Sequence, residues 1–206
     1  MSVLDKLAGA LGRNDERPNV ELAEALVAKP DAAAIRELVA ATGGSARDIA
    51  NDAIKVLYEI GERNPALIKG NIPAFAAGLK SRNNRMVWGA LSAIAAVAGS
   101  EPKTVAAELD HIIAAADNGS VIAKDMAMKT LAALAAAGEA KRTVPLLLAR
   151  LKDAAPNQFP MYAEIAAPVI DVAHTAGFRA ILEARLATIP QPAKRKRVEK
   201  VLKSLR

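Results

Sequence analysis

The sequence predicts an all-α protein, a right-handed α-α superhelix built from one helix pair used repeatedly, and three observations predict it. Apolar helical stretches open at Ile35, Ile72, Leu109, Val144 and Ile181, spaced 37, 37, 35 and 37 residues apart. A second series interleaves with the first at Ala53, Ala90, Ala127 and Ala166, each followed four positions later by an aliphatic residue, Leu57, Ile94, Leu131 and Ile170. Two interleaved series at one period describe a helix pair stacked on its own copies, and periods of roughly 35–47 residues belong to helical solenoids. The third observation is that no stretch alternates apolar and polar residues with period two, so strands are not expected.

The elements follow in chain order. MSVLDKLAGALGR places Val3, Leu4, Leu7, Ala10 and Leu11 at helical spacing, which predicts an amphipathic helix; it has neither the basic start nor the unbroken apolar run of a secretory signal. GRNDERPN at 12–19 breaks the chain, and a helix is expected from Val20 to Ala28. Residues 1–30 are thus read as N-terminal capping helices. Pro30 stops the chain and Asp31 can cap a helix over 32–42. Gly43 and Gly44 are expected to end it in left-handed geometry. Ser45 with Asp48 three residues on predicts a capping box for a helix running to Glu62. Pro73, Pro102 and Pro145 are placed near helix starts, where a missing N–H does no harm. Ser81–Asn84, Asp117–Ser120 and Asp153–Gln158 read as the tight turns inside successive pairs. Pro168 should kink or divide the helix that carries it. The whole comes to about eleven helices, with repeats over 31–193 in a single domain of 1–206.

Composition narrows the chemistry. Apolar residues make up 52% of the chain but only 3% is aromatic, so the core has to be built from closely packed Ala, Leu, Ile and Val. With no cysteine, disulfides, thiolate ligands and a Cys nucleophile are excluded. Ala-rich stretches are too interrupted to span a membrane, which predicts a cytoplasmic protein with no membrane span. Charge is segregated: residues 63–100 carry Arg63, Lys69, Lys80, Arg82 and Arg85 with no acid, and KRKRVEKVLKSLR at 194–206 carries Glu199 against seven basic residues. Val198, Val201, Leu202 and Leu205 give this last segment an apolar stripe suited to cap the final repeat. Lys194, Arg195, Lys196, Arg197, Lys200 and Lys203 leave it a basic patch, either a solvated cap or a docking site for an anionic partner.

SARDIANDAIKVLYEIG, SRNNRMVWGALSAIAAVA and GSVIAKDMAMKTLAALAAAG resemble the second helices of HEAT repeats: a polar turn, then Ala-Leu and small residues toward the helix end. Arg47 stands where that family keeps an arginine, whereas Asn84 and Val121 occupy the equivalent places. The resemblance implies the fold and, for function, a scaffold or adaptor, since such a fold hosts many unrelated jobs.

Registering the repeats aligns Trp88 with Asn51, Asp125 and Glu164, a mostly polar row. A Trp there is expected to be partly exposed, next to Arg85 one turn earlier. The row two residues beyond the alanines reads Lys55, Ser92, Lys129 and Pro168. Arg85, Trp88, Lys55, Asp125 and Lys129 are therefore the candidate partner-binding residues, for a protein or peptide held on the concave surface. The alternative is nucleic-acid binding, resembling the HEAT-like glycosylases that remove alkylated purines from DNA. It needs a basic track, aromatic walls and a carboxylate, and Asp48, Asp125 and Glu164 would repel phosphate. No catalytic residue, cofactor or metal site is assigned: His111 and His174 show no ligand spacing, nothing resembles a nucleophile elbow, and the glycines form no phosphate-cradling loop.

Overall fold

A computed structural model describes residues 2–205, and among them it contains helices and turns but no strand. The helices are α1 (Arg17–Ala28), α2 (Ala32–Thr42), α3 (Arg47–Arg63), α4 (Ile72–Gly78), α5 (Asn84–Val97), α6 (Pro102–Ala107), α7 (Leu109–Asp117), α8 (Val121–Leu134), α9 (Ala140–Lys152), α10 (Phe159–Ala166), α11 (Val172–Leu186) and α12 (Pro192–Ser204). The contacts divide them into two compact units, residues 1–127 and residues 128–206.

In the first unit α3 is the central element. It packs against α1, α2 and α5, and α4 and α6 pack on α5. Ala53, Leu57, Ala90 and Ile94 are fully buried, as the interleaved series requires. Small residues let α3 and α5 approach: a Cβ added to Gly89 would lie 3.0 Å from Ile54, and one on Gly61 would lie 3.0 Å from Ala96. In the second unit α12 packs on α10 and α11, and α9 packs on α10 and α11. Its core holds Leu131, Val144, Leu147, Phe159, Phe178 and Leu182.

Several local expectations are corrected. The N-terminal segment is a single 3-10 turn, Val3–Lys6, followed by turns. The cause is tertiary: the Gly9 N–H donates to Asp52 Oδ2 at 2.7 Å and the Ala8 N–H to Asn19 Oδ1 at 3.0 Å, and Gly12 takes a φ of 68°. Leu7 and Ala8 are buried by this route while Leu11 is exposed. The helix α1 starts at Arg17 rather than Val20, with Pro18 in its first turn. Asp31 caps α2 as expected, accepting from the Ala33 and Ala34 N–H groups. Gly43, however, stays right-handed at φ −91°, because the Gly43 and Gly44 N–H groups close short bonds to the Ala40 and Ala41 carbonyls. No Ser45 capping box forms; Ala46 precedes α3 without a side-chain cap.

Two prolines act differently from each other. Pro145 lies inside α9 instead of at its start, because Gly138, at φ 101°, makes the break earlier. Pro168 does divide its segment: α10 stops at Ala166 and a 3-10 turn covers Ala167–Val169. Ile170 is then extended and only half-buried, so the fourth member of the aliphatic series leaves the core. Ile181 is likewise half-buried, and its neighbour Leu182 fills the interior.

The Asp52 carboxylate ties the first unit together by a buried network, since Asn19 Nδ2 also donates to its Oδ1 at 2.8 Å. Asp52→Ala leaves both donors without their acceptor, at a cost of about 1–3 kcal/mol. Limited proteolysis is expected to cut the variant within residues 2–16 faster than the wild type, and equal cutting rates would show that the network does not hold the segment.

Candidate functional site

Lys55, Arg85 and Trp88 come together on α3 and α5, whose close packing sets their rows side by side. Asn83 fixes the start of α5: its Oδ1 accepts from the Arg85 N–H at 3.1 Å, and its Nδ2 donates to Asn51 Oδ1 on α3 at 2.6 Å. Trp88 is half-buried and meets Tyr58 at 5.6 Å between ring centroids, tilted by 53°. Such tilted pairs add to simple burial because the edge of one ring meets the face of the other. Lys55 Nζ stands 4.7 Å over the Tyr58 ring. Ser92 is buried one turn beyond Trp88 and donates to its carbonyl at 2.9 Å.

Glu16 and Glu59, neither of which stands in the repeat rows, answer these cations. Lys55 Nζ is 2.6 Å from Glu59 Oε1 and 3.2 Å from Glu16 Oε2. Glu16 also binds Arg85 through its other oxygen, and Glu59 also binds Arg63. The spacing of Lys55, Glu59 and Arg63, four and four, was legible as helix-face pairs; Glu16, which is 69 residues from Arg85, was not. Arg85 Nε is buried with no hydrogen-bond partner among the described residues. Beside Arg85 lies a polar recess of ≈ 310 Å³ whose walls include Asp15, Glu16, Asp48, Asn51 and Asp52.

Burial works against the charge of Lys55, but its contacts with Glu59, Tyr58 and Glu16 outweigh it and raise its pKa. Burial likewise opposes the charge of Glu59, and the hydrogen bonds from Lys55 and Arg63 overcome it and lower that pKa below the ordinary 4.5. The signs follow directly. A depressed carboxyl contributes stability that is present above its unfolded pKa and lost as pH falls through the folded one. A raised ammonium contributes throughout the range below its ordinary 10.5. The cluster should therefore hold at neutral pH and loosen as pH falls below 4.5. The Trp88 emission maximum is the readout: a red shift is expected below that pH, and an acid titration that leaves it unmoved contradicts the pairing.

The remaining candidates are placed separately. Asp125 on α8 is half-buried and already engaged by another group. Lys129, in the second unit, is exposed. On α12, Val198 and Val201 are buried and Leu202 and Leu205 are half-buried, so the apolar stripe packs as a cap. Arg197 is taken by Glu164, with Nε to Oε1 at 2.8 Å, and Lys194 Nζ donates to Asn157 at 2.6 Å. Arg195, Lys196, Lys200 and Lys203 remain exposed. His111 and His174 each lean on a local acid, Glu108 and Asp171. No helix among the described residues is long and apolar enough to cross a membrane.

Half-burial of Trp88 also predicts its spectroscopy: acrylamide should quench its emission measurably but less than free tryptophan. Negligible quenching with a strongly blue-shifted maximum would place the ring in the core instead.

No family model matches the sequence, and no curated protein does. Solved structures do resemble the chain. A computationally designed armadillo repeat protein for modular peptide recognition is 18% identical with a TM-score of 0.68, covering 89% of this chain and 86% of its own. A designed armadillo repeat protein in complex with the peptide (KR)4 is 16% identical with a TM-score of 0.65, covering 98% and 99%. An engineered protein is 18% identical with a TM-score of 0.65, covering 100% and 99%. At these identities the likeness is one of fold. The chain is an all-α helical-repeat solenoid, in keeping with the HEAT-like pattern of its sequence.

Proposed function

We propose that this chain is a non-catalytic scaffold, a cytoplasmic adaptor that holds a protein or peptide segment against the face made by α3 and α5. The observation that carries the reading is Trp88: half-buried, tilted onto Tyr58 and beside Arg85, whose side chain stays 37% exposed. Trp, Tyr and Arg are the side chains that dominate binding energy when a partner covers them. An arriving peptide carbonyl can accept from the Arg85 guanidinium, and its apolar side chain can cover the exposed part of the indole. The designed armadillo proteins of the same fold lend support, one made for modular peptide recognition and one in complex with a peptide.

Charge on this face favours a peptide over nucleic acid. Lys55, Arg63 and Arg85 are each paired with Glu16, Glu24 or Glu59, and Asp15, Asp48 and Asp52 lie alongside. Phosphate would meet cations whose charge is already answered by acids, and several carboxylates beside them, whereas a neutral peptide carbonyl meets no such repulsion. A pull-down from the native lysate with and without nuclease, run with wild type and Trp88→Ala, tests the reading. A protein captured by the wild type in both conditions and lost in the variant is expected. Capture abolished by nuclease would replace this reading with the nucleic-acid one.

A further inference from the structure

A second recess, of ≈ 380 Å³, lies in the first unit between the α4–α5 turn and the end of α7, and shares no wall residue with the recess beside Arg85. Its walls combine two kinds of residue. Leu79 and Val87, both buried, form with half-buried Ala115 an apolar floor, Ala114 is exposed on the wall, and exposed Lys80 and Arg82 stand on the rim. None of its lining residues is an acid. The rim comes from the acid-free segment 63–100, and the other cations of that segment are spent: Arg63 on Glu59, Lys69 on Glu101, Arg85 on Glu16. Lys80 and Arg82, by contrast, have no ion-pair partner among the described residues, and both are exposed. His111, also on the wall, leans its Nδ1 on Glu108 at 2.9 Å, which leaves the second ring nitrogen for other contacts.

We propose that this recess binds an organic carboxylate on a short aliphatic chain, held by Arg82 and Lys80 at the rim and by the Leu79, Val87 and Ala115 floor. A guanidinium presents a planar fork that matches a carboxylate. The volume is at the small end of ligand pockets, which suits a tail of a few carbons. An inorganic anion uses the rim and wastes the floor; an apolar or cationic ligand wastes or opposes the rim. The same chemistry comes from a free short-chain acid or from the terminal carboxylate of a peptide ending in an aliphatic residue. This site uses none of Lys55, Arg85 and Trp88, and the two readings stand or fall separately.

The test is amide chemical-shift titration of the full chain with sodium hexanoate, hexylamine and inorganic phosphate, and with a peptide ending in leucine beside its C-terminal amide. Hexanoate is expected to move the Arg82, Val87, Ala114 and Ala115 amides saturably while the Trp88 indole stays still. Lys80→Gln with Arg82→Gln, two exposed changes, should weaken hexanoate by about tenfold or more, the scale of losing charge-assisted bonds. Ala114→Leu, at an exposed position on the α7 wall, should block hexanoate by projecting a larger side chain into the recess. Hexylamine should leave the lining amides unmoved. A free-acid peptide that binds more tightly than hexanoate, with its amide silent, assigns a chain terminus as the source; equal or weaker binding assigns the small acid. The proposal is overturned if hexanoate moves no lining amide, if the glutamine variant binds it unchanged, or if phosphate binds as well and Ala114→Leu has no effect.

Discussion

Phe159→Ala should lower stability by about 3–5 kcal/mol, the range for removing a buried aromatic ring. Phe159 is fully buried at the first position of α10, the helix that packs on both α9 and α12. Arg185 adds to the cost: its guanidinium lies 4.8 Å over the ring while Nη2 donates to the Ala154 carbonyl at 2.6 Å. The ring is one wall of the place that holds that guanidinium, and a cation over an aromatic face contributes roughly 0.5–1 kcal/mol more at partly exposed sites. A loss of this size is a large fraction of the roughly 5–15 kcal/mol that holds a domain folded. Urea unfolding followed by circular dichroism reads it, and a midpoint within error of wild type would mean that Phe159 is not core.

Leu131→Ala and Ile170→Ala form the second prediction, and the contrast matters more than either value. Both residues sit four positions after an alanine of the repeat series. Leu131 is fully buried in α8, so its truncation should cost about 2–5 kcal/mol. Ile170 is half-buried on extended backbone after Pro168, and the same truncation should cost roughly 1 kcal/mol or less, near the range of surface changes. Equal losses in the two urea midpoints would show that Ile170 is packed like its counterparts.

That contrast also marks where the sequence was legible. The alanine series Ala53, Ala90, Ala127 and Ala166 is buried throughout, because close helix approach demands a small side chain at each crossing and leaves a periodic trace. The aliphatic series held until a proline removed a backbone donor and ended the helix. The N-terminal segment misled for a different reason. Its 3.6-residue pattern is real, but the Gly9 N–H and the Asp52 carboxylate, 43 residues apart, bend it into turns. The Gly43 expectation failed because short bonds at the end of α2 close that helix without a left-handed residue. The Ser45 expectation failed because α3 starts one residue later, after Ala46, with no side-chain cap.

The candidate site was legible by half. Trp88 stood out as an indole in a polar row, and its half-buried state follows from that row. Lys55 looked like an open cation, yet Tyr58, Glu59 and Glu16 enclose it. A single sequence carries the row but not the long-range partner that neutralises it.

The most direct test of the proposed partner face starts from peptides selected on the wild-type chain out of a random library. Each enriched peptide is titrated into wild type, Trp88→Ala and Arg85→Gln by calorimetry, with the Trp88 emission followed in the proteins that keep it. The expected result is a saturable emission change in the wild type and affinity weakened about tenfold or more in both variants, the size of a hot-spot loss. Peptides that bind all three proteins equally, with the wild-type emission unmoved, would contradict the account.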